Sequence, residues 1–156
     1  MPTCPTPPTD AGDAGARIAA ALGSLLNRRT RVGLYREITT AAALPAVDPT
    51  TYPLLSGIHR LGPATASSLA QSIGLERSVL SRYADRLEAA GLVHRVPDPD
   101  DRRAHLLTLT PQGRTAAHRL HTLLAERIAA RTAHWPGHEV ETFAAGLERF
   151  IADLGR

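Results

Sequence analysis

Apolar residues recur every three or four positions along most of the chain, and this spacing predicts amphipathic helices. One helical stretch runs from Ala14 to about Ala43, interrupted by the basic segment at residues 27–31. A short helix is predicted next, with Thr50 or Thr51 as its cap and with Gly62-Pro63 after its last turn. Two helices are predicted towards the C-terminus, one from Thr110-Pro111 to about Ala133 and one carrying Val140, Phe143, Leu147, Phe150, Ile151 and Leu154.

The middle of the chain has the spacing of a helix-turn-helix. Thr65 can cap a helix that holds Leu69 and Ile73, and Gly74 follows as its C-terminal cap. A second helix is predicted from Arg77 to about Ala90, after a turn of three residues that contains glycine. Two helices joined by such a turn are typical of DNA-binding helix-turn-helix units.

The second of these helices has a distinct polar face. At about 100° per residue, one side gathers the apolar positions Val79, Leu80, Tyr83, Leu87 and Ala90. The other side carries hydrogen-bond donors in its N-terminal half and carboxylates in its C-terminal half: Ser78, Ser81, Arg82, Asp85 and Glu88. This polarity favours a helix that enters DNA with its N-terminus first, although an ordinary solvated amphipathic helix has a similar pattern.

A long charged loop follows that helix. Residues 92–96 and 105–109 are predicted to be strands, and the loop 97–104 between them holds Arg102 and Arg103. Ordinary hairpin loops contain about two to five residues. The longer loop therefore indicates a protruding wing, the alternative being a solvated loop whose Asp and Arg side chains neutralise one another.

Composition limits the class of protein. The 156 residues suit about one domain, and 43% hydrophobic with 21% charged residues is ordinary for a globular chain. No run of 18 apolar residues predicts a transmembrane helix, and no signal peptide is recognisable. The lone Cys4 excludes an internal disulfide framework, so we expect a cytoplasmic protein. The net charge of +3 permits nucleic-acid binding without requiring it.

Residues 65–115 resemble the DNA-binding core of the MarR family of winged-helix transcriptional regulators. The matching stretches are SSLAQSIGLERSVLSRYADRLEAAGLVHR at 67–95 and PDPDDRRAHLLTLTPQGR at 97–114. The family motifs appear as Arg86-Leu87, Gly91-Leu92-Val93, Asp101-Arg102-Arg103, Leu109-Thr110 and Gly113. Tyr83 stands where the family has an aliphatic residue, and Glu76 stands where a Ser or Asp cap is common.

The resemblance implies a mainly α fold with a small β-hairpin wing, in which a winged helix-turn-helix lobe is flanked by N- and C-terminal dimerisation helices. On this basis we assign residues 1–13 to a flexible Pro-rich tail and 14–48 to N-terminal dimerisation. Residues 49–110 are assigned to the DNA-binding lobe and 111–156 to C-terminal dimerisation. The apolar residues near both ends of the chain are too many for one small lobe to cover, which independently favours a homodimer.

The implied function is sequence-specific binding of double-stranded DNA by a homodimer that recognises an inverted repeat, as a ligand-responsive repressor. The expected DNA-binding residues are Arg77, Ser78, Ser81, Arg82, Arg86, Arg102 and Arg103. Among these, Arg82 is expected to read bases, Arg103 to enter the minor groove, and Arg86 to hold a phosphate or an acidic neighbour. Asp101 is expected to brace a neighbouring Arg, and a small lipophilic effector is expected near Tyr35, Tyr52, Leu55 and His59.

The same residues bear on other possible functions. No Gly-rich phosphate loop, nucleophile elbow or zinc-protease His pair occurs, so neither an enzyme nor a cofactor is expected. His118 and His121 lie three positions apart and could belong to a metal-responsive regulator, but we assign no metal site. Cys4 raises redox sensing, although it lies in the Pro-rich tail without activating neighbours. A winged helix that binds proteins instead of DNA is the third alternative.

Overall fold

Two N-terminal helices form from the first apolar stretch. The computed structural model describes residues 10–101 and 103–155, with α1 at Asp10–Leu26 and α2 at Arg28–Ala42. The predicted basic interruption is only a one-residue break at Asn27, whose side chain accepts a hydrogen bond from the Arg29 backbone N–H at 2.9 Å. Residues 10–13, assigned to the tail from sequence, are helical, and Cys4 lies outside the described residues.

The three central helices are α3 at Tyr52–Leu61, α4 at Ala66–Ile73 and α5 at Arg77–Ala89. The Thr65 hydroxyl accepts from the Ser68 N–H at 3.2 Å, which caps α4 as predicted. Gly74 closes α4 at a φ of 66°, in the left-handed region that glycine adopts without strain, so the predicted helix-turn-helix is confirmed.

The predicted cap of α3 is confirmed only in its position. Thr51 occupies the capping position, but its hydroxyl makes no capping hydrogen bond to α3. Instead it donates to the Ala46 carbonyl at 2.8 Å and accepts from the Asp48 N–H at 3.0 Å. The hydroxyl therefore stabilises the loop before the helix, where Thr51 is fully buried.

A small antiparallel sheet accompanies these helices. The strands are β1 at Ala64–Thr65, β2 at Val93–Pro97 and β3 at His105–Leu109, in the order β1-β3-β2. β2 and β3 form the predicted hairpin, with Val93 opposite Leu109 and Pro97 opposite His105. β1 was not predicted, because two residues show no alternation and their partners, Leu106 and Leu107, lie far along the chain.

One hydrophobic core joins α2 to the sheet and to the first half of α6, which spans Pro111–Thr132. Its largest fully buried apolar side chains are Ile38, Leu54, Leu55, Ile58, Leu69, Leu80, Leu87, Val93, Leu107 and Leu120. The last turns of α2 thus belong to the same core, mainly through packing against α6.

The end helices contrast with this core. The last helix, α7, spans Gly137–Leu154 and buries none of its residues within the chain. Its Phe143, Ile151 and Leu154 are 52%, 60% and 71% exposed, and Ile18 and Leu25 of α1 are also more than half exposed. No helix in the described ranges has both the length and the apolar character needed to cross a membrane.

Candidate nucleic-acid interface

Helix α5 presents the predicted polar face to solvent. Its inner side packs through Leu80, Ala84 and Leu87, all fully buried, while Val79, Tyr83 and Ala90 are half-buried. Ala84 was absent from the predicted core side, because a small side chain contributes little to an apolar stripe. On the outer side, Arg77, Ser78 and Arg82 are exposed and Ser81 is half-buried.

The arginines in the N-terminal half of α5 have no carboxylate partner among the described residues. Within the described ranges, no carboxylate forms an ion pair with Arg77 or Arg82. Both guanidinium groups are therefore available to an external acceptor, and arginine can bind guanine or phosphate through two nitrogens at once. The structure brings Arg77, Ser78, Ser81 and Arg82 together on adjoining turns of one helix.

Arg86, further along α5, has a partner inside the protein. Its Nη2 donates to Asp48 Oδ2 at 2.7 Å, and its Nη1 lies 3.4 Å from the Thr50 hydroxyl oxygen. Of the two roles predicted from sequence, the structure shows the acidic neighbour. Partial burial raises the pKa of Asp48, but hydrogen bonds from Thr50, Arg86 and Thr51 outweigh it and hold that pKa well below its usual range.

Arg95 on β2 is a polar residue of this surface that was not predicted from the sequence. Its Nη2 donates to Asp85 Oδ1 at 2.7 Å and its Nη1 donates to Glu88 Oε2. The two carboxylates belong to α5, so this interaction, called the Arg95 bridge below, ties the helix to the wing strand. A signal was present in the sequence, because Asp85 and Glu88 lie three positions apart and share one helical face.

The wing is the β2–β3 hairpin, and backbone hydrogen bonds order its tip. Asp101 Oδ1 accepts from the Arg103 N–H at 2.9 Å, and the Asp101 carbonyl accepts from the Ala104 N–H at 2.9 Å. The Asp101 carboxylate thus holds the neighbouring Arg103 through its backbone N–H. The Arg103 side chain is exposed, and Arg102 lies outside the described residues.

The predicted effector residues lie at the α2–α3–α6 contact. The rings of Tyr35 and Tyr52 are 4.7 Å apart, and burial raises the pKa of Tyr52. Leu55 is fully buried in the core. Tyr52 and His59 line a cavity of only about 30 Å³. A larger cavity of about 590 Å³ lies between α1 and α7 and is lined by Ile18, Leu22, Leu25, Phe143, Leu147 and Phe150.

The histidine pair considered from sequence does not gather further ligands. His118 and His121 are both exposed on α6, and the nearest ring partner of His121 is His59, at a centroid distance of 6.4 Å. Across residues 10–101 and 103–155, no three His, Cys, Asp or Glu side chains are grouped so that they could hold a metal ion.

Comparison with known proteins places this architecture among transcription regulators. The profile of the MarR family matches residues 47–105, from the loop before α3 to the start of β3. The chain is 35% identical to YxaD of Bacillus subtilis, an uncharacterised HTH-type transcriptional regulator, over 103 residues that cover 66% of this chain and 72% of that one. It is 31% identical to the multiple antibiotic resistance protein MarR of Salmonella typhimurium, over 48% of this chain and 52% of that one.

Solved structures show the same fold. The MarR family transcription regulator SP03579 aligns with a TM-score of 0.68 and 24% identity, covering 94% of this chain and 96% of that one. Wild-type MarR from E. coli, in its apo form, aligns with a TM-score of 0.67 and 22% identity, covering 86% and 95%. The mainly helical winged-helix architecture predicted from sequence is confirmed.

Proposed function

The chain belongs to the MarR family of transcription regulators. From this we propose that it is a homodimeric repressor of transcription that binds double-stranded DNA. In the proposed complex α5 lies in the major groove and the wing reaches the neighbouring minor groove. The observation that carries the proposal is the N-terminal half of α5, where Arg77, Ser78 and Arg82 are exposed and no carboxylate of the described residues pairs with either arginine.

We assign separate tasks to the residues of this surface. Arg82 reads a base edge, because a guanidinium matches the two acceptors of guanine in the major groove. Arg77, Ser78 and Ser81 contact bases or adjacent phosphates. Arg103 enters the minor groove, where a narrow A·T-rich stretch concentrates negative potential. Arg102 contacts the DNA backbone, while Arg86 supports α5 through its bond to Asp48.

The unpartnered end helices support the dimer. Residues 14–48 and 111–156 are proposed as the dimerisation segments around the DNA-binding lobe at 49–110. A second copy would cover the exposed apolar side chains of α1 and α7 and would place two α5 helices on two half-sites. With half-sites about 34–36 Å apart, the operator is an inverted repeat.

An effector at the predicted place would have to open the protein. Because the cavity beside Tyr52 and His59 measures only about 30 Å³, it has room for about one water molecule. A small lipophilic ligand would therefore need to part α3 from α6, and it could release DNA only by binding that opened arrangement more tightly.

The direct test uses DNA selected by the wild-type protein from a randomised duplex pool, with binding measured by fluorescence anisotropy. Arg82→Ala is expected to flatten the preference at one position of each half-site, at a cost of about 1–3 kcal/mol for the preferred base. Arg60→Ala is the matched control, because Arg60 is exposed on α3 and its replacement removes the same charge. Failure of the wild type to enrich any sequence would favour a protein-binding winged helix instead.

A further inference from the structure

The C-terminal half of α5 carries two carboxylates on the element proposed to enter DNA. The side chains of Asp85 and Glu88 are 65% and 36% exposed, so the negative charge of a bound DNA would act on both. Nearby phosphates would repel them, and the negative end of the helix dipole adds to that repulsion. A DNA-binding helix with this sequence therefore needs a positive charge close to its carboxylates.

Arg95 supplies that charge from a different element. Both of its terminal nitrogens donate to carboxylates of α5, one to Asp85 Oδ1 at 2.7 Å and the other to Glu88 Oε2. The two carboxylates together carry a charge of −2, and Arg95 brings the net charge of the three side chains to −1. Because Arg95 is already engaged through both nitrogens, its role does not require a contact with DNA.

The same bridge sets the position of the wing. Arg95 lies in β2 opposite Leu107 of β3, two residues before the end of β2 at Pro97. A guanidinium that binds two carboxylates in a fixed fork restrains both the strand and the helix. The angle between α5 and the hairpin, and so the simultaneous fit to the two grooves, depends on this contact.

We propose that Arg95 is a positioning residue for DNA binding, which shields the carboxylates of Asp85 and Glu88 and holds the wing against α5. This inference rests on the proposed DNA-binding function. It goes beyond that function by assigning a role to a residue that the sequence did not single out.

The test compares four variants on the duplex selected by the wild-type protein. Arg95→Met keeps the aliphatic chain but removes the charge, and it is expected to weaken binding roughly fivefold to tenfold near 0.1 M salt. Arg95→Lys is expected to recover only part of the affinity, because one ammonium cannot replace the fork. Arg60→Met, which removes an equal charge from an exposed position on α3, is expected to bind like the wild type.

Charge rescue is the decisive measurement. The triple variant Arg95→Met, Asp85→Asn, Glu88→Gln has no carboxylate left to shield, so it is expected to recover part of the affinity lost in Arg95→Met; the remaining loss reflects the wing, which the bridge no longer holds. Melting curves verify that each variant is folded. Wild-type affinity in Arg95→Met would overturn the inference, and so would a triple variant as weak as Arg95→Met, because the carboxylates would then need no shielding. If the wild type itself bound no DNA, the proposed function would fail first.

Discussion

At the scale of single residues, Gly113 shows how the fold can require a residue without a side chain. It lies in the first turn of α6, and its N–H donates to the Thr110 hydroxyl at 2.9 Å. The Thr110 hydroxyl also donates to the Gly91 carbonyl at 2.6 Å, which fixes the start of α6 against the end of the helix-turn-helix. A Cβ at position 113 would lie 1.8 Å from the Leu92 carbonyl oxygen, so no other residue fits without moving the backbone.

Gly113→Ala is therefore expected to lower the free energy of unfolding by roughly 1–3 kcal/mol or more, as overpacked sites do. Urea denaturation followed by circular dichroism measures this. Gly33→Ala is the matched control, because nothing lies within 4 Å of a Cβ at that helical position. The control is expected to gain about 0.5–1 kcal/mol from helix propensity, and equal behaviour of the two variants would contradict the close packing.

The stability that Asp48 contributes is expected to depend on pH. Its folded-state pKa is held below the usual range despite partial burial, mainly by hydrogen bonds from Thr50 and Arg86. A carboxyl whose pKa is lowered by folding adds stability above its unfolded pKa and loses it as the pH falls towards the folded value. Because the side chain is 40% exposed, solvent screening limits this stability to about 1 kcal/mol or less.

Asp48→Asn is accordingly expected to unfold at lower urea concentration than the wild type at pH 7. The difference between the two proteins is expected to shrink below about pH 4, where the carboxyl begins to bind a proton in the unfolded chain. Urea midpoints at several pH values measure the effect. A difference that stays constant from pH 7 to pH 3 would mean that the charge of Asp48 contributes nothing.

At the scale of elements, the wing combines an ordered tip with an exposed cation. The carboxylates of Asp98 and Asp101 accept hydrogen bonds from the backbone N–H groups of Asp100 and Arg103, so Arg103 is held at a defined place. Its side chain is exposed, which suits the proposed entry into the minor groove.

Arg103→Ala is expected to weaken binding to all DNA sequences and to lower the slope of log K against log salt by about one. Titrations at several salt concentrations test this, with Arg103→Lys as the charge-retaining control. An Arg103→Ala protein with wild-type affinity and slope would argue against the wing as a DNA contact.

At the scale of the whole molecule, the exposed apolar faces of α1 and α7 determine the expected assembly. Ile151 and Leu154 are 60% and 71% exposed within one chain, and a symmetric partner would cover them. Because they are exposed, a charged replacement should leave the single chain folded while disrupting the proposed dimer.

Ile151→Glu is expected to raise the dimer dissociation constant about a hundredfold or more, since each copy would bury an unpaired carboxylate. Size-exclusion chromatography with light scattering measures the mass at micromolar concentration. Ala145→Glu is the control, on the opposite face of α7 by helical spacing. A chain lacking residues 136–156 should also be monomeric; a full dimer in either Ile151→Glu or this truncation would contradict the arrangement.

Local interactions explain what could be predicted from the sequence by itself. The helices follow from apolar spacing, the cap of α4 from Thr65, and the turn before α5 from Gly74, because each depends on residues within a few positions. The hairpin and the exposed donors of α5 follow in the same way. These features, with the motifs of residues 65–115, were sufficient to indicate the fold and family.

The tertiary structure decided whatever depends on residues far apart in the chain. The two-residue β1 exists only because it pairs with β3, and Arg86 binds Asp48, which belongs to the loop before α3. The Arg95 bridge likewise joins two elements, and the burial of Leu55 results from packing of several helices. Such contacts are set by the relative placement of folded elements, which apolar periodicity does not encode.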